Sequence, residues 1–364
     1  MKTQNPYVMV VLLLALLPLF PGSSCHQDRS ENNKQPFNAT ETFPHREVSW
    51  IRGSSFAGSS LGWLLTLDGE ILFSADGGQT WREMANLKTE NIFGITFVDE
   101  QTGWAANDSG KLWQTTDGGA TWQAISSIDI DQSDFVGVHQ LIANDKQNVY
   151  LVGSNTFISR TTDGGRNWDN ILLPEVYTDR GWRGCFISPQ TGWLTNSSGL
   201  MLRTRDAGNT WDSAQVVEND RLILTFIDEK MGWAVSFDRL KVFRTTDGGK
   251  KWELLTLLDG EKEGLAILSL HFVDEDEGWA VGKDSFDPTS HDPKGVVLHT
   301  TDGGKNWDRV VLKEDEWMYS KVWFSDKQHG WVISRDNVYR TDDGGKTWSI
   351  SLSFPPLRKD PRNK

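Results

Sequence analysis

The eight residues at 115–122, TTDGGATW, would pass for an ordinary polar turn if they stood alone. They return as TTDGGRNW at 161–168, TTDGGKKW at 245–252 and TTDGGKNW at 300–307. Written as Ser/Thr-x-Asp-Gly/Ala-Gly-x-x-Trp, the box occurs seven times, with aspartates Asp76, Asp117, Asp163, Asp206, Asp247, Asp302 and Asp343 and tryptophans Trp81, Trp122, Trp168, Trp211, Trp252, Trp307 and Trp348. The aspartates are spaced 41, 46, 43, 41, 55 and 41 residues apart, a period that belongs to propellers, solenoids and arrays.

A second signature keeps phase with the first. FVDEQTGW at 97–104 recurs as FISPQTGW (186–193), FIDEKMGW (226–233), FVDEDEGW (272–279) and FSDKQHGW (324–331). FAGSSLGW (56–63) opens the series and ANDKQNVY (143–150) is a degenerate copy, so this count also reaches seven. Thirteen of the 18 tryptophans fall in the two signatures, which makes most of the tryptophan content architectural.

One unit reads as four short strands, NIFGITFVD (91–99), GWAAN (103–107), KLWQTT (111–116) and TWQAI (121–125), parted by the turn residues DEQT, DSG and DGG. No long helical period interrupts the body. The expectation is an all-β fold: a seven-bladed β-propeller with four antiparallel strands per blade and the box turning the third strand into the fourth. Blades are expected near 47–88, 89–133, 134–176, 177–217, 218–259, 260–314 and 315–357, with 358–364 as a tail. In the box, the aspartate should accept backbone N–H groups two residues on. The second glycine never changes, whereas Ala207 replaces the first in blade four; the second position should therefore hold the positive φ. The tryptophan should begin the fourth strand and bury its ring between sheets. One carboxylate per blade builds no shared cation cage, so no metal is expected.

Ahead of the repeat, Lys2, the apolar run VMVVLLLALLPLF (8–20) and GSSC (22–25) read as an export signal over 1–25. Cys25 stands where a bacterial lipoprotein would be cut and acylated; acylation there and plain secretion are the two open readings. Residues 26–46 are polar and read as a flexible tether. The location implied is periplasmic or cell-envelope. With two cysteines, Cys25 and Cys185, no disulfide framework is expected, and Cys185 reads as a small buried apolar residue. The net charge of −13 and pI of 5.0 argue against a nucleic-acid partner.

The box is the Asp-box, or BNR, repeat, and joined in phase to the Phe-x-Asp-x-x-x-Gly-Trp half it resembles the photosystem II stability and assembly factor family over about 47–353. The resemblance implies a seven-bladed, exported, often lipid-anchored assembly chaperone that is not an enzyme and needs no cofactor. Photosynthetic members are expected to meet their client through an arginine-rich patch spanning neighbouring blades. Here only Arg180 and Arg183 lie close together on the corresponding face.

Loop lengths choose that face. Box aspartate to tryptophan is always 5 residues, and the phenylalanine position to the Gly-Trp tryptophan always 7, while box tryptophan to the next phenylalanine position runs 16, 21, 18, 15, 20 and 17. The constant turns should share one rim and the variable loops the other, where binding is expected. Candidate partner-binding residues there are Arg180, Trp182 and Arg183 in YTDRGWRG (177–184), and Trp317 and Tyr319 in KEDEWMYSK (313–321), beside Glu314, Asp315 and Glu316 read as a solvated edge. The insertion KDSFDPTSHDPKG (283–295) carries Asp284, Asp287, His291 and Asp292, read as a solvated loop against a metal site.

The function expected is a non-catalytic scaffold for an exported or membrane protein client, tied to the membrane if Cys25 is lipidated. The alternatives are a glycan- or peptide-binding surface protein and a secreted glycosidase, since Asp-boxes also decorate sialidases. A sialidase needs three arginines and a tyrosine nucleophile; only Tyr150, Tyr177, Tyr319 and Tyr339 follow the leader. No nucleophile elbow, phosphate loop or zinc-spaced Cys/His set occurs.

Overall fold

The computed structural model describes residues 37–38, 50–127, 137–153, 157–171, 173, 181–237, 240–258, 264–284, 294–313 and 316–354. Seven antiparallel sheets are present, each drawing four consecutive strands from one stretch of chain. Blade two shows the pattern: Ile92–Phe97, Gly103–Asn107, Lys111–Thr115 and Gln123–Ser127. Short strands separated by glycine-rich turns leave each sheet one hydrophobic face too many, and only a neighbouring sheet can cover it. The first strands touch one another around the axis and are the inner wall: Ile51–Ala57, Ile92–Phe97, Val138–Ala143, Arg183–Phe186, Leu222–Phe226, Leu265–Phe272 and Tyr319–Phe324.

Phe37–Asn38 adds a fifth strand to the outer edge of blade one, antiparallel to Thr80–Asn86. Among the described residues no strand is shared between the first and last blades, and the ring closes by other contacts. Ile51 N donates to the Arg335 carbonyl at 3.2 Å, and Trp81 Nε1 donates to Ser351 Oγ at 2.9 Å. Phe56 of blade one stacks on Trp323 and Trp331 of blade seven, at 5.3 and 5.0 Å.

Within every blade the two signatures are stitched together. The N–H of the first box glycine, or of Ala207, donates to a carbonyl in the turn between the first and second strands: Gly77 to Ser60, Gly118 to Gln101, Gly164 to Gln147, Ala207 to Gln190, Gly248 to Lys230, Gly303 to Asp276 and Gly344 to Gln328. The constant turns therefore share one rim.

The box differs from its sequence reading in three respects. Its aspartate bonds mainly four residues on rather than two: Asp117 Oδ1 accepts Thr121 N at 2.9 Å and Oδ2 accepts Thr121 Oγ1 at 2.6 Å. Thr80, Thr210 and Thr347, or Asn167 and Asn306, do the same elsewhere, so a Thr or Asn before the tryptophan belongs to the motif in every blade but the fifth, where Lys251 donates its backbone N–H alone. Both glycine positions have positive φ. The first lies near the left-handed region (Gly118 at 74°, Ala207 at 61°) and the second beyond it (Gly119 at 97°, Gly165 at 102°). An alanine fits the first and not the second because only the first lies close to the region a Cβ tolerates. Finally, the box tryptophan precedes the fourth strand in blades two to seven and its ring folds over its own turn; Trp122 Nε1 donates to the Gly119 carbonyl at 3.1 Å.

Most of the tryptophans fully buried between sheets are those of Gly-Trp: Trp63, Trp104, Trp193 and Trp233 at 0% exposure, with Trp279 and Trp331 close behind; Trp182 and, alone among the box rings, Trp81 join them. Each of five stacks on the signature phenylalanine of the next blade. Trp63 lies on Phe97 at 4.0 Å, Trp193 on Phe226 at 3.5 Å, Trp233 on Phe272 at 3.8 Å, Trp279 on Phe324 at 3.5 Å and Trp331 on Phe56 at 5.0 Å. In the degenerate copy Tyr150 does the same with Phe186 at 4.0 Å. The phenylalanine in turn meets its own box tryptophan edge-on, as Phe97 meets Trp122 at 84°. The glycine before each tryptophan lies beneath its own blade's phenylalanine ring; a Cβ on Gly192 would stand 2.2 Å from Phe186.

The box carboxylates are held in the charged form. For Asp343 the Thr347 hydroxyl and then the Thr347 N–H bring the pKa down to about 2, and in Asp163 the Asn167 N–H does the same more strongly. A lowered native pKa gives stability that is complete above the unfolded value and lost as pH falls through the folded one. Acid unfolding followed by tryptophan fluorescence should therefore begin only below about pH 4, and Thr347→Ala should move its midpoint upward.

Candidate functional site

With the stitched turns on one rim, the second-to-third turns and blade connections form the other. There the five candidate residues part company. Arg180 lies outside the described residues, as do Cys25, Asp287, His291, Asp292, Glu314 and Asp315. Trp182 is wholly buried, packed with Tyr150, Val152, Ile158 and Leu202 between blades three and four, while its carbonyl accepts a bond from His139 Nε2 at 2.8 Å. Tyr319 is 1% exposed and sits edge-on to Tyr339 at 5.8 Å. Both are corrections: these rings are core, because each stands at the start of an inner strand where the next sheet covers it. Glu316 is a third, buried beside blade seven with Oε2 accepting Tyr339 Oη at 2.6 Å and Asn337 Nδ2 at 2.8 Å.

Arg183 and Trp317 stay open to solvent. Trp317 is 42% exposed, with Lys283 Nζ 5.8 Å from its ring centre. Of the insertion, Asp284 is described and pairs with Arg309 at 3.1 Å. No cluster of three His, Cys, Asp or Glu able to hold a metal occurs among the described residues.

Arg183 begins the inner strand of blade four. Desolvation and then the like charge of Arg221 lower its pKa, and Arg183 in turn helps lower that of His139, after desolvation. Arg183 and Arg221 thus form a cationic pair across blades four and five, beside His139 of blade three, whose lowered pKa favours the neutral ring, in a chain of net charge −13. Arg221 and His139 went unremarked in the sequence. Counting back from the phenylalanine position finds them: His139 stands four residues before Ala143, Arg183 three before Phe186 and Arg221 five before Phe226.

Cys185 is next to this group. Desolvation pushes its thiol up to about 11, with the Phe226 backbone as its polar neighbour. From an ordinary 9.0 that is about a hundredfold less thiolate near neutral pH. Cys185 is half-buried, so the raised pKa sets the rate: alkylation by iodoacetamide at pH 8 should lag a free thiol by a similar factor, returning to normal in denaturant, and fast labelling of the native protein would contradict that shift.

The family model for photosynthesis system II assembly factor YCF48 matches residues 82–219 and 215–316. The chain belongs to that family. The photosystem II assembly lipoprotein Ycf48 of Synechococcus sp. (strain CC9902) is 28% identical over 136 residues, which are 36% of this chain and 37% of that protein. Two YCF48 structures share the fold at 20% identity. The one from Cyanidioschyzon merolae covers 84% of this chain and 99% of its own at a TM-score of 0.64, and YCF48 bound to D1 peptide covers 85% and 97% at 0.63. A GH74 xyloglucanase from Xanthomonas campestris, 12% identical, superposes at 0.65 over 88% of this chain and 56% of its own, a likeness of fold alone.

Proposed function

We propose that this protein is a non-catalytic, exported scaffold that binds a polypeptide client, an exported or membrane protein, on the rim opposite the boxes and aids its assembly. The observation that carries the reading is the cationic pair of Arg183, at the start of blade four's inner strand, and Arg221, just before blade five's, with His139 beside them. Family membership supports it, as does a relative bound to a D1 peptide. A rigid ring lets neighbouring blades hold charge in fixed register, and loops of unequal length around it give selectivity. Trp317 supplies an exposed aromatic anchor on the same rim.

The lipoprotein name of the Synechococcus relative supports anchoring at Cys25. Labelling with a lipid precursor, lost in Cys25→Ser, would establish it.

Affinity capture from the native envelope tests the client reading. The wild type should retain a discrete exported or membrane protein, and Arg183→Glu should lose it with the melting temperature unchanged. Capture undiminished by Arg183→Glu and by Trp317→Ala would overturn the assignment. Turnover of a glycan substrate abolished by one carboxylate substitution would replace it with the hydrolase reading.

A further inference from the structure

Four of the buried Gly-Trp indoles bond across a blade junction in the same way. Trp63, Trp104, Trp193 and Trp233 donate from Nε1 to the carbonyl of the first box glycine in the next blade, Gly118, Gly164, Gly248 and Gly303, at 2.9, 3.0, 3.0 and 2.8 Å. The residue before the box Ser or Thr reinforces this contact: Arg203 Nη1 donates to the Gly248 carbonyl at 3.1 Å, and Arg160 Nη1 to that of Ala207 at 2.5 Å. The junction between blades six and seven lacks both bonds. Trp279 is 1% exposed, and its Nε1 has no hydrogen-bond partner among the described residues. The residue before Thr300 is His299, shorter than an arginine; it turns back to Glu277 at 3.3 Å and stacks on Trp279 at 4.7 Å. The box of blade seven is correspondingly less covered, with Gly345 half-buried where the second glycine of the other six boxes is buried. Trp331 also lacks a partner at the seam of blades seven and one, but there Ser351 Oγ links Trp81 to the Gly78 carbonyl and closes the junction.

A cleft of about 530 Å³ opens at this junction, between Glu277, His299 and Thr301 of blade six and Lys327, Gln328 and Asp342 of blade seven, with Gly344 and Gly345 of the box on its wall. The clefts at the equivalent junctions of blades two with three and four with five measure about 310 and 470 Å³, and Arg203 lies in the latter. The size suits a small ligand. Most of the charges are already matched: Lys327 pairs with Asp274 and Glu277, His299 with Glu277, and Asp342 with Arg340. Among the described residues only Lys346, which is exposed, lines the cleft as a charge without such a partner or a hydrogen bond of its own box. A charged ligand would have to break one of these pairs. A neutral ligand with hydroxyl groups can bond to them as they stand, because paired carboxylates keep lone pairs and the Gln328 amide offers both donor and acceptor.

We infer that the cleft between blades six and seven binds a neutral mono- or disaccharide through its hydroxyl groups. The Glu277 carboxylate, the Thr301 hydroxyl and the Gln328 amide supply acceptors and donors on the two walls. Trp279 supplies the donor that the fold leaves unmet, and a buried N–H without a partner costs about 1–3 kcal/mol until something accepts from it. Its Nε1 faces Gly345, whose Cβ position lies 3.4 Å away, so the indole is separated from the cleft by the box turn alone. A hydroxyl both accepts and donates, and one seated beside that turn restores by a bridge the link that the other junctions make directly. The site is on the box rim, opposite the client face, and shares no residue with it.

Titration of the full chain with methyl glucoside, cellobiose and N,N′-diacetylchitobiose, followed by saturation-transfer NMR, tests it, with glucuronate and glucosamine as charged forms of the same ring. Saturable binding of at least one neutral sugar is expected, weakened about fivefold by Gln328→Ala, the scale of one hydrogen bond. His299→Arg gives this junction the side chain that Arg203 supplies between blades four and five. It should abolish sugar binding with the melting temperature unchanged or higher, so that the loss is not unfolding. No saturable binding of any neutral sugar, tighter binding of glucuronate or glucosamine, or affinity untouched by both variants overturns the inference. The indole resonances give a readout that needs no variant: on saturation the Trp279 N–H signal should shift and that of Trp233 stay, and an unmoved Trp279 signal would refute the site. Arg183→Glu should bind the sugar as the wild type does, and His299→Arg should still capture the client, so failure of one proposal is distinguishable from failure of the other.

Discussion

Gly165→Val should unfold the ring well below the wild-type temperature. Gly165 holds φ at 102°, where a side chain is strained, and its N–H is fixed by Thr161 Oγ1 at 2.9 Å, so the turn cannot relax by rotating. A Cβ there would stand 2.5 Å from Ile125 Cδ1 of the preceding blade. Backbone strain of about 1–2 kcal/mol and overpacking of about 1–3 kcal/mol act together. In a domain this size the sum should lower the melting temperature by about 5–10 °C. The neighbouring position is the control. Gly164 lies at 79°, and Ala207 already occupies the equivalent place in blade four at 61°. A Cβ on Gly164 would stand 3.0 Å from the Lys146 carbonyl, a contact a small shift relieves. Gly164→Ala should therefore cost about 1 kcal/mol. Equal losses at 164 and 165 would mean that the second glycine is not the constrained one.

That contrast shows what could be read without coordinates. The number of blades was legible because two motifs in fixed phase count the same turns twice, and each turn needs residue types that little else in the chain supplies. The Thr or Asn before the box tryptophan was also in plain view, but only a bond across four residues gives that position a reason. Burial along the inner strands was harder to read. Trp182 and Arg183 are adjacent, and one is core while the other is open, because successive side chains of a strand point to opposite faces. A local reading takes both for a binding pair. Register against Phe186 separates them, and the same register shows Arg221 joining Arg183 from the next blade. Cationic groups from separate blades become one feature only when the ring is closed, so charge balance over the whole chain conceals them.

Trp233→Ala should be the most damaging truncation of a single ring in the protein. The indole is fully buried, lies flat on Phe272 of the next blade at 3.8 Å and 2°, and donates from Nε1 to the Gly303 carbonyl at 2.8 Å. It thus joins blade five to blade six through both repeated signatures at once. Truncating a buried tryptophan costs about 3–5 kcal/mol, and the carbonyl left without its donor adds about 1–3 kcal/mol. In a ring where each sheet touches only its neighbours, stability is close to a sum of blades and junctions, so the loss should appear as a lower denaturant midpoint. Trp307→Ala removes a half-buried ring whose hydrogen bond stays within its own turn, to Gly304 at 3.0 Å, and should cost clearly less. A double-mutant cycle between Trp233 and Phe272 should give a coupling of about 0.5–1.5 kcal/mol for the stack itself. The seam between blades seven and one has the looser stack, Trp331 on Phe56 at 5.0 Å and 25°, and among the described residues no shared strand to reinforce it. Trp331→Ala should accordingly cost less than Trp233→Ala; the reverse order would show that closure, rather than each junction equally, limits the stability of the ring.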